Sequence, residues 1–162
     1  MDKIHFFFIS SHELRFLFKK FVYNIHMIKK IVKDSFFLSR KCAPAGSSDL
    51  DKAKDLIDTL QANRAVCVGM AANMIGVQKQ IIAISAGPVI IVMLNPKIIK
   101  HEGPYQTKEG CLSLSGQRPC TRYRKITVVY QDMRLDTHTS EYTDTTAEII
   151  QHEIDHCSGI LI

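Results

Sequence analysis

Apolar side chains recur every three or four residues in two segments of the chain, a spacing typical of a helix with one buried face. In the first segment the apolar positions are Leu50, Ala53, Leu56, Ile57 and Leu60. Ser48 precedes them with an acid three residues later, as an N-cap and its capping partner do. We therefore predict a helix from there to about Asn63.

The second helical segment lies near the end of the chain. Its apolar stripe consists of Ala147, Ile150 and Ile154, with Ile149 beside it. Thr145 with Glu148 three residues later fits a capping box, and Gly159 suits a helix C-cap. We predict a helix that begins near Thr145, ends at Ser158 and lies in the interior of the protein.

Between these helices the chain is rich in β-branched residues, which favour strands. Two buried strands are predicted at 81–84 and 89–94, the second closed by Asn95-Pro96, and further strands at 97–101 and 124–132. Hairpins of this length favour antiparallel pairing. The sequence therefore predicts an α+β fold in which antiparallel sheets surround a central helix.

The length of 162 residues and the hydrophobic content of 46% fit one compact domain. We place this domain at residues 27–162 and interpret residues 1–26 as an N-terminal extension or a misassigned start. The net charge of +5 comes largely from the first forty residues. We interpret this basic stretch as a solvated face or loose arm, and we expect no specific nucleic-acid partner.

The cysteines and the apolar runs bear on the compartment. The five cysteines form no CxxC pair, and no secretory leader precedes them, which favours a reducing cytoplasm. The apolar run at residues 4–9 is too short for a membrane span. We therefore expect a cytoplasmic protein that does not cross a membrane, while the sequence does not fix its oligomeric state.

Catalytic chemistry is indicated by the second helix, which contains His152-Glu153-Ile154-Asp155-His156. Histidines four residues apart lie about one turn apart on the same helix face, as two ligands of one metal ion must. Glu153 is adjacent, where a carboxylate can take a proton from a water at the metal and later deliver it to a leaving nitrogen. We predict a metal-dependent hydrolase.

A catalytic metal usually has three protein ligands, so a third must come from another element. Cys111 is favoured because Gly110 loosens a segment between strands, where a thiolate can face the helix. Cys157 follows His156 and points about 100° away around the helix. The remaining alternatives, on spacing alone, are Cys42, Cys67 and Cys120.

Three segments in order resemble the motifs of the peptide deformylase family. They are residues 68–76 (VGMAANMIG), 109–113 (EGCLS) and 151–156 (QHEIDH). The resemblance extends over residues 27–162. It implies removal of the formyl group from N-formylmethionyl nascent peptides, with release of formate, at a site near the ribosome. Some relatives have a long C-terminal helix, which we do not expect here because the sequence has three residues after Gly159.

The resemblance also assigns roles. Cys111, His152 and His156 would bind one divalent ion, iron(II) natively with zinc, nickel or cobalt as substitutes. Glu153 would be the general base and acid, and the backbone amide of Leu112 would donate to the developing oxyanion. Supporting roles are implied at five other positions: Glu109 orients a ligand or the loop, Arg118 holds the substrate backbone, and Val68, Gly69 and Ile149 line the methionine pocket.

Three positions depart from the family pattern, which has glycine where this chain has Cys67 and proline where it has Ser115. The most important departure is Met74, where the family has glutamine. A thioether donates no hydrogen bond, and loss of one oxyanion donor typically slows an enzyme about a hundredfold to a thousandfold. Asn73 is adjacent, but its side chain is expected to point elsewhere. Two alternatives follow: a weak or inactive deformylase-like metal-binding protein, or another amidase or peptidase with the same helical motif.

Overall fold

The computed structural model describes residues 27–162, and the expected N-terminal extension at 1–26 lies outside the described residues. The described helices are α1 (Ser35–Leu38), α2 (Leu50–Ala62) and α3 (Asp144–Ser158). Two 3-10 helices occupy Ser47–Asp49 and Ala72–Ile75. None of these helices is both long enough and apolar enough to cross a bilayer.

The sheet is antiparallel, and its five strands follow one another in chain order. The strands are β1 (Gly69–Ala71), β2 (Ile81–Ala86), β3 (Val89–Gly110), β4 (Gln117–Gln131) and β5 (Thr137–Thr143). The helix α3 packs against β1, β2, β4 and β5, so the predicted α+β architecture with a central motif-bearing helix is confirmed.

The predicted break at Asn95-Pro96 is wrong, because β3 continues through it to Gly110. The chain accommodates the proline with a register shift between Leu94 and Lys97, where Asn95 adopts a φ of 53°. The Asn95 side chain secures this bulge by bonding the backbone of Ala45 and the side chain of Gln131. A bulge lets a strand carry a proline without losing its course.

Both predicted capping boxes are also wrong in position. The helix α3 begins at Asp144 with Thr143 as its N-cap, and Glu148 accepts a hydrogen bond from Tyr105 instead of capping the helix. The helix α2 begins at Leu50, and the preceding turn is closed by Asp49, whose carboxylate accepts from the Gly46 amide at 3.0 Å. The two acids that the spacing suggested have other partners, since Glu148 accepts from Tyr105 and Asp51 accepts from Lys54 at 3.1 Å.

The C-terminal end of α3 is as predicted. Gly159 has a φ of 78°, and its amide and the next one bond the last carbonyls of the helix. A Cβ atom at this position would lie 2.3 Å from the carbonyl oxygen of Ser39. Glycine is therefore required here for backbone conformation and for close packing against the end of α1.

Candidate metal centre

Three potential metal ligands converge where α3 faces the end of β3. The Sγ atom of Cys111 lies 3.2 Å from Nε2 of His156, which lies 3.2 Å from Nε2 of His152. All three atoms lie within 4.8 Å of one another. The helix supplies two of them because a four-residue step is about one turn, and the turn after β3 brings the thiol to them. We call these residues the Cys111–His152–His156 cluster.

The thiol of Cys111 is electrostatically prepared to lose its proton. Burial alone would raise its pKa, but hydrogen bonds to His152 and His156 and one from the Ser113 amide outweigh burial. The pKa of Cys111 is held at about 5. A thiolate, not a thiol, is the form that binds a metal ion.

The orientation of His152 is fixed from behind by Glu109. Nδ1 of His152 lies 2.7 Å from Oε2 of Glu109, and the carboxylate can only accept, so Nδ1 carries the proton and Nε2 faces the cluster. Burial would raise the pKa of Glu109, but hydrogen bonds from Arg122 and His152 hold it at about 2. Glu109 therefore occupies the position from which a carboxylate orients a ligand.

Sequence reasoning missed Arg122, which completes this arrangement. Its guanidinium bonds both oxygens of Glu109 at 2.8 Å and Oδ2 of Asp155 at 2.6 Å, and its side chain is only 5% exposed. The signal was available in the strand pattern, because Arg122 lies four residues before buried Ile126 on β4 and thus on the same face. A charged residue at an inward position requires a buried partner.

Glu153 is buried beside the cluster, with its side-chain Oε2 lacking a hydrogen-bond partner within residues 27–162. Burial raises its pKa to about 7, against the opposing attraction of His152 and His156. Gly69 makes room for it, because a Cβ atom there would lie 2.6 Å from Oε1 of Glu153 and 2.5 Å from Cγ2 of Ile149. Such a carboxylate is poised to take and return a proton near neutral pH.

The donor set fits a divalent cation. One thiolate and two imidazoles are ligands that suit zinc or iron, and the second ring nitrogen of His152 already has the carboxylate partner usual for a metal-bound histidine. The pKa of His152 is raised to about 10: burial opposes a charged ring, but Cys111, Glu109 and Glu153 favour it more strongly. The cluster therefore attracts positive charge.

A cavity of about 400 Å³ opens beside the cluster. Its wall includes five of the positions predicted to contact substrate or oxyanion, namely Val68, Gly69, Met74, Leu112 and Ile149. Arg118 is not part of this wall, and its guanidinium reaches the carbonyl of Ser115 at 3.4 Å instead. The structure thus gathers the predicted pocket residues and leaves Arg118 outside them.

The side chains of Met74 and the adjacent Asn73 point in different directions. Met74 is buried and faces the cavity, where its thioether offers no donor. Asn73 points away, since its Nδ2 donates to the carbonyl of His156 at 2.8 Å and so anchors the end of α3. The backbone N–H of Leu112 makes no hydrogen bond to any residue that the structure describes, so it is available to a ligand.

Comparisons with known proteins agree on one family. The polypeptide deformylase family model matches residues 28–162. A peptide deformylase of Clostridium beijerinckii is 50% identical over 136 residues, which cover 84% of this chain and 100% of the relative. One from Thermoanaerobacter pseudethanolicus is 33% identical, covering 85% and 86% of the two chains.

Solved structures give the same result. The crystal structure of a peptide deformylase from Legionella pneumophila superimposes with a TM-score of 0.74 at 32% identity, and the match covers 83% of each chain. The shared architecture and the shared sequence thus extend over nearly all of the residues that the structure describes.

Proposed function

The chain belongs to the polypeptide deformylase family and is an enzyme that removes the N-formyl group from nascent polypeptides, and we propose that it does so with a metal ion held by Cys111, His152 and His156. The observation that supports this site is the convergence of one thiol and two imidazole nitrogens within 4.8 Å beside the buried carboxylate of Glu153.

When bound, a divalent ion supplies Lewis acidity, which lowers the pKa of a water molecule and polarises the formyl carbonyl. The rest of the chemistry falls to the chain. Glu153 removes a proton from the attacking water at its free Oε2 and passes it to the amine nitrogen as the C–N bond breaks, so formate and a free N-terminus are released. Its pKa of about 7 suits both transfers.

The developing negative charge on the formyl oxygen is met by the backbone N–H of Leu112, which is unpaired among the described residues. Met74 contributes no second donor. We therefore propose an enzyme that stabilises its oxyanion with one protein hydrogen bond in place of two. Val68, Gly69 and Ile149 form the apolar surface against which the methionine side chain packs.

We propose iron(II) as the native ion, with zinc, nickel or cobalt able to replace it, because thiolate and imidazole suit all of these. The substrates are N-formylmethionyl chains as they leave the ribosome, in the cytoplasm. Residues 27–162 form the catalytic domain. The five cysteines, all of them free, support a reducing compartment.

The decisive experiment compares Glu153→Gln with the wild type after anaerobic purification. Formate release from formyl-Met-Ala-Ser should fall by a factor of about a hundred to ten thousand, the usual contribution of general acid–base catalysis, while the metal content stays at one ion per chain. Metal is measured by elemental analysis. The matched control is Glu141→Gln, an exposed carboxylate on β5, which should change neither quantity.

Two results would contradict the proposal. Near-normal turnover in Glu153→Gln would remove Glu153 from the proton transfer. Full metal content in Cys111→Ala would remove Cys111 from the ligand set, since only two imidazoles would then remain to hold the ion.

A further inference from the structure

The two histidines of the Cys111–His152–His156 cluster are oriented in different ways. His152 is held through its ring, since its Nδ1 donates to Glu109 at 2.7 Å. His156 is completely buried, and its Nδ1 makes no hydrogen bond to any residue that the structure describes. A histidine that binds a metal ion usually has its second ring nitrogen fixed by an acceptor. The direction of the His156 ring must therefore be set by its backbone and by the packing around it.

The backbone of His156 is held at the end of α3. This residue lies in the last turn of the helix, where carbonyl groups have no partner within the helix itself. Two donors converge on its carbonyl oxygen: Nδ2 of Asn73 at 2.8 Å and the amide of Gly159 at 3.1 Å. A carbonyl oxygen has two lone pairs, so both acceptor positions are occupied. The peptide group that follows His156 therefore has a fixed orientation.

Asn73 can hold this carbonyl because its side chain is itself held in place. Asn73 is completely buried in the 3-10 helix Ala72–Ile75. Its Nδ2 also lies 3.4 Å from the carbonyl oxygen of Leu38 at the end of α1, and its own backbone carbonyl accepts from the amide of Gly76 at 3.0 Å. One side-chain amide thus joins the ends of α1 and α3.

We propose that Asn73 is a positioning residue for the metal ligand His156. Its amide fixes the last turn of α3 and thereby the direction in which Nε2 of His156 faces the other two ligands. The proposal rests on the proposed function, because it assumes that the cluster binds a metal ion. The ends of helices fray when their carbonyls lose their partners, and the ring of His156 has no side-chain acceptor among residues 27–162 to keep its direction. Asn73 therefore does for His156 what Glu109 does for His152.

The test replaces Asn73 by leucine, which has a similar size and donates no hydrogen bond. The carbonyl of His156 then keeps only the amide of Gly159 as a donor. Loss of a group that orients a ligand typically lowers metal affinity by about 10–100-fold, and we expect the lower end because Gly159 remains. Competition of the protein with a chelator for zinc should therefore give a dissociation constant about tenfold higher in Asn73→Leu.

A second measurement reports the geometry of the site. The visible absorption of bound cobalt(II) depends on the number and arrangement of its ligands. In Asn73→Leu the cobalt bands should change in position and intensity, because the ring of His156 is no longer held in one direction. A loss of overall stability alone would not change the spectrum of the folded protein.

Gln78→Leu is the matched control. Nε2 of Gln78 donates to the carbonyl of Phe37 at 2.8 Å, so a side-chain amide binds the end of α1 as Asn73 does. Its other hydrogen bonds within the described chain are to Cys42 and Ala43, and none is to α3. Urea denaturation gives the loss of stability in each variant. Gln78→Leu should be destabilised to a similar extent and should keep the wild-type dissociation constant and cobalt spectrum.

An unchanged dissociation constant or an unchanged cobalt spectrum in Asn73→Leu, or equal changes in Gln78→Leu, would overturn the proposal. If Asn73→Leu does not fold, NMR of the wild type decides. The side-chain amide signals of Asn73, which is hydrogen-bonded to the ligand residue, should shift when zinc binds, and signals that do not move overturn the proposal. A wild type that binds no zinc refutes the proposed metal site and this proposal together, whereas equal zinc affinity in wild type and Asn73→Leu refutes the role of Asn73 alone.

Discussion

The two sides of the proposed metal site are built differently. On the side of β3 and β4, His152 is held by Glu109, which is held by Arg122, which is held in turn by Asp155, all through hydrogen bonds of 2.6–2.8 Å. The side formed by β1 and the following 3-10 helix is almost without polar side chains at the cavity. Gly69 contributes space and Met74 contributes an apolar surface.

This difference separates two tasks. A metal ligand must keep a fixed orientation, and the successive buried hydrogen bonds on the first side provide it. Such a network stabilises the protein only if every member keeps its hydrogen-bond partner. The facing wall must admit a substrate, and the described side chains of β1 and the 3-10 helix offer the oxyanion no donor. The donor is then the backbone N–H of Leu112, in the turn after β3. Changes on the first side should therefore affect stability and metal binding, and changes on the second should affect turnover.

The largest effect is expected for Arg122→Met. It leaves Glu109 and Asp155 without their shared cation, and removing one partner of a buried ion pair costs about 3–5 kcal/mol. Urea denaturation monitored by circular dichroism should show the free energy of unfolding reduced by about that amount. Metal affinity should fall with it.

The matched control is Arg124→Met, which removes an exposed arginine from the same strand. It loses only a contact with the Tyr105 ring and should cost no more than about 1 kcal/mol. Equal destabilisation by both substitutions would mean that the buried network contributes nothing particular to the fold.

The same contrast explains what the sequence could predict. His152, Glu153 and His156 follow from helical spacing alone, because a helix fixes the relation of residues four apart. Cys111 did not follow from spacing, since Cys42, Cys67 and Cys120 remained as alternatives, and only the long β3 places it opposite α3. Long-range pairings such as that of Glu109 with Arg122 depend on strand register, which local pattern does not specify.

The predicted end of a strand at Pro96 and the predicted start of α3 were wrong for a related reason. Pro96 predicts a strand end by local chemistry, yet Asn95 finds partners in Ala45 and Gln131, far away in the chain, and β3 continues. Similarly, Glu148 on α3 fits a capping box locally but accepts a hydrogen bond from Tyr105 on β3. In both places a tertiary hydrogen bond replaced the local one, which no single stretch of sequence reveals.

Met74→Gln tests the side of the site formed by β1 and the following 3-10 helix. A correctly placed amide would add a second donor to the oxyanion, and such a donor is worth about 2.7 kcal/mol or roughly a hundredfold in kcat. Steady-state formate release should show this rise with little change in metal content. Met74→Leu is the control, because it stays apolar and should not accelerate the enzyme. If kcat does not rise with glutamine, the oxyanion does not need a second donor beside the Leu112 N–H.

Glu109→Gln is a milder change on the side of β3 and β4. Glutamine keeps the shape but weakens the acceptor for His152, and loss of such an orienting carboxylate typically lowers metal affinity by about 10–100-fold. Competition against a chelator gives the dissociation constant. Glu102→Gln, on the exposed part of the same strand, should leave it unchanged. Unaltered affinity in Glu109→Gln would mean that His152 is oriented by the helix alone.

The smallest effect is expected for Lys33→Met, where the segment before α1 contacts the turn after β3 and the 3-10 helix that contains Met74. The ammonium of Lys33 donates to the carbonyl of Leu112, and the Val32 amide donates to the carbonyl of Met74 at 2.8 Å. An exposed hydrogen bond of this kind contributes about 1 kcal/mol, so kcat should fall about fivefold as the turn that contains the Leu112 N–H becomes less restrained, with KM and metal content unchanged.

Two neighbouring variants make the interpretation of Lys33→Met specific. Lys33→Arg retains a donor and should restore most of the lost rate, whereas Lys30→Met removes an exposed charge from the same segment and should have no effect. If Lys30→Met slows the enzyme as much as Lys33→Met, the effect is one of general charge. The contact with Leu112 would then have no part in orienting the single oxyanion donor, and the backbone of the turn after β3 would have to be rigid by itself.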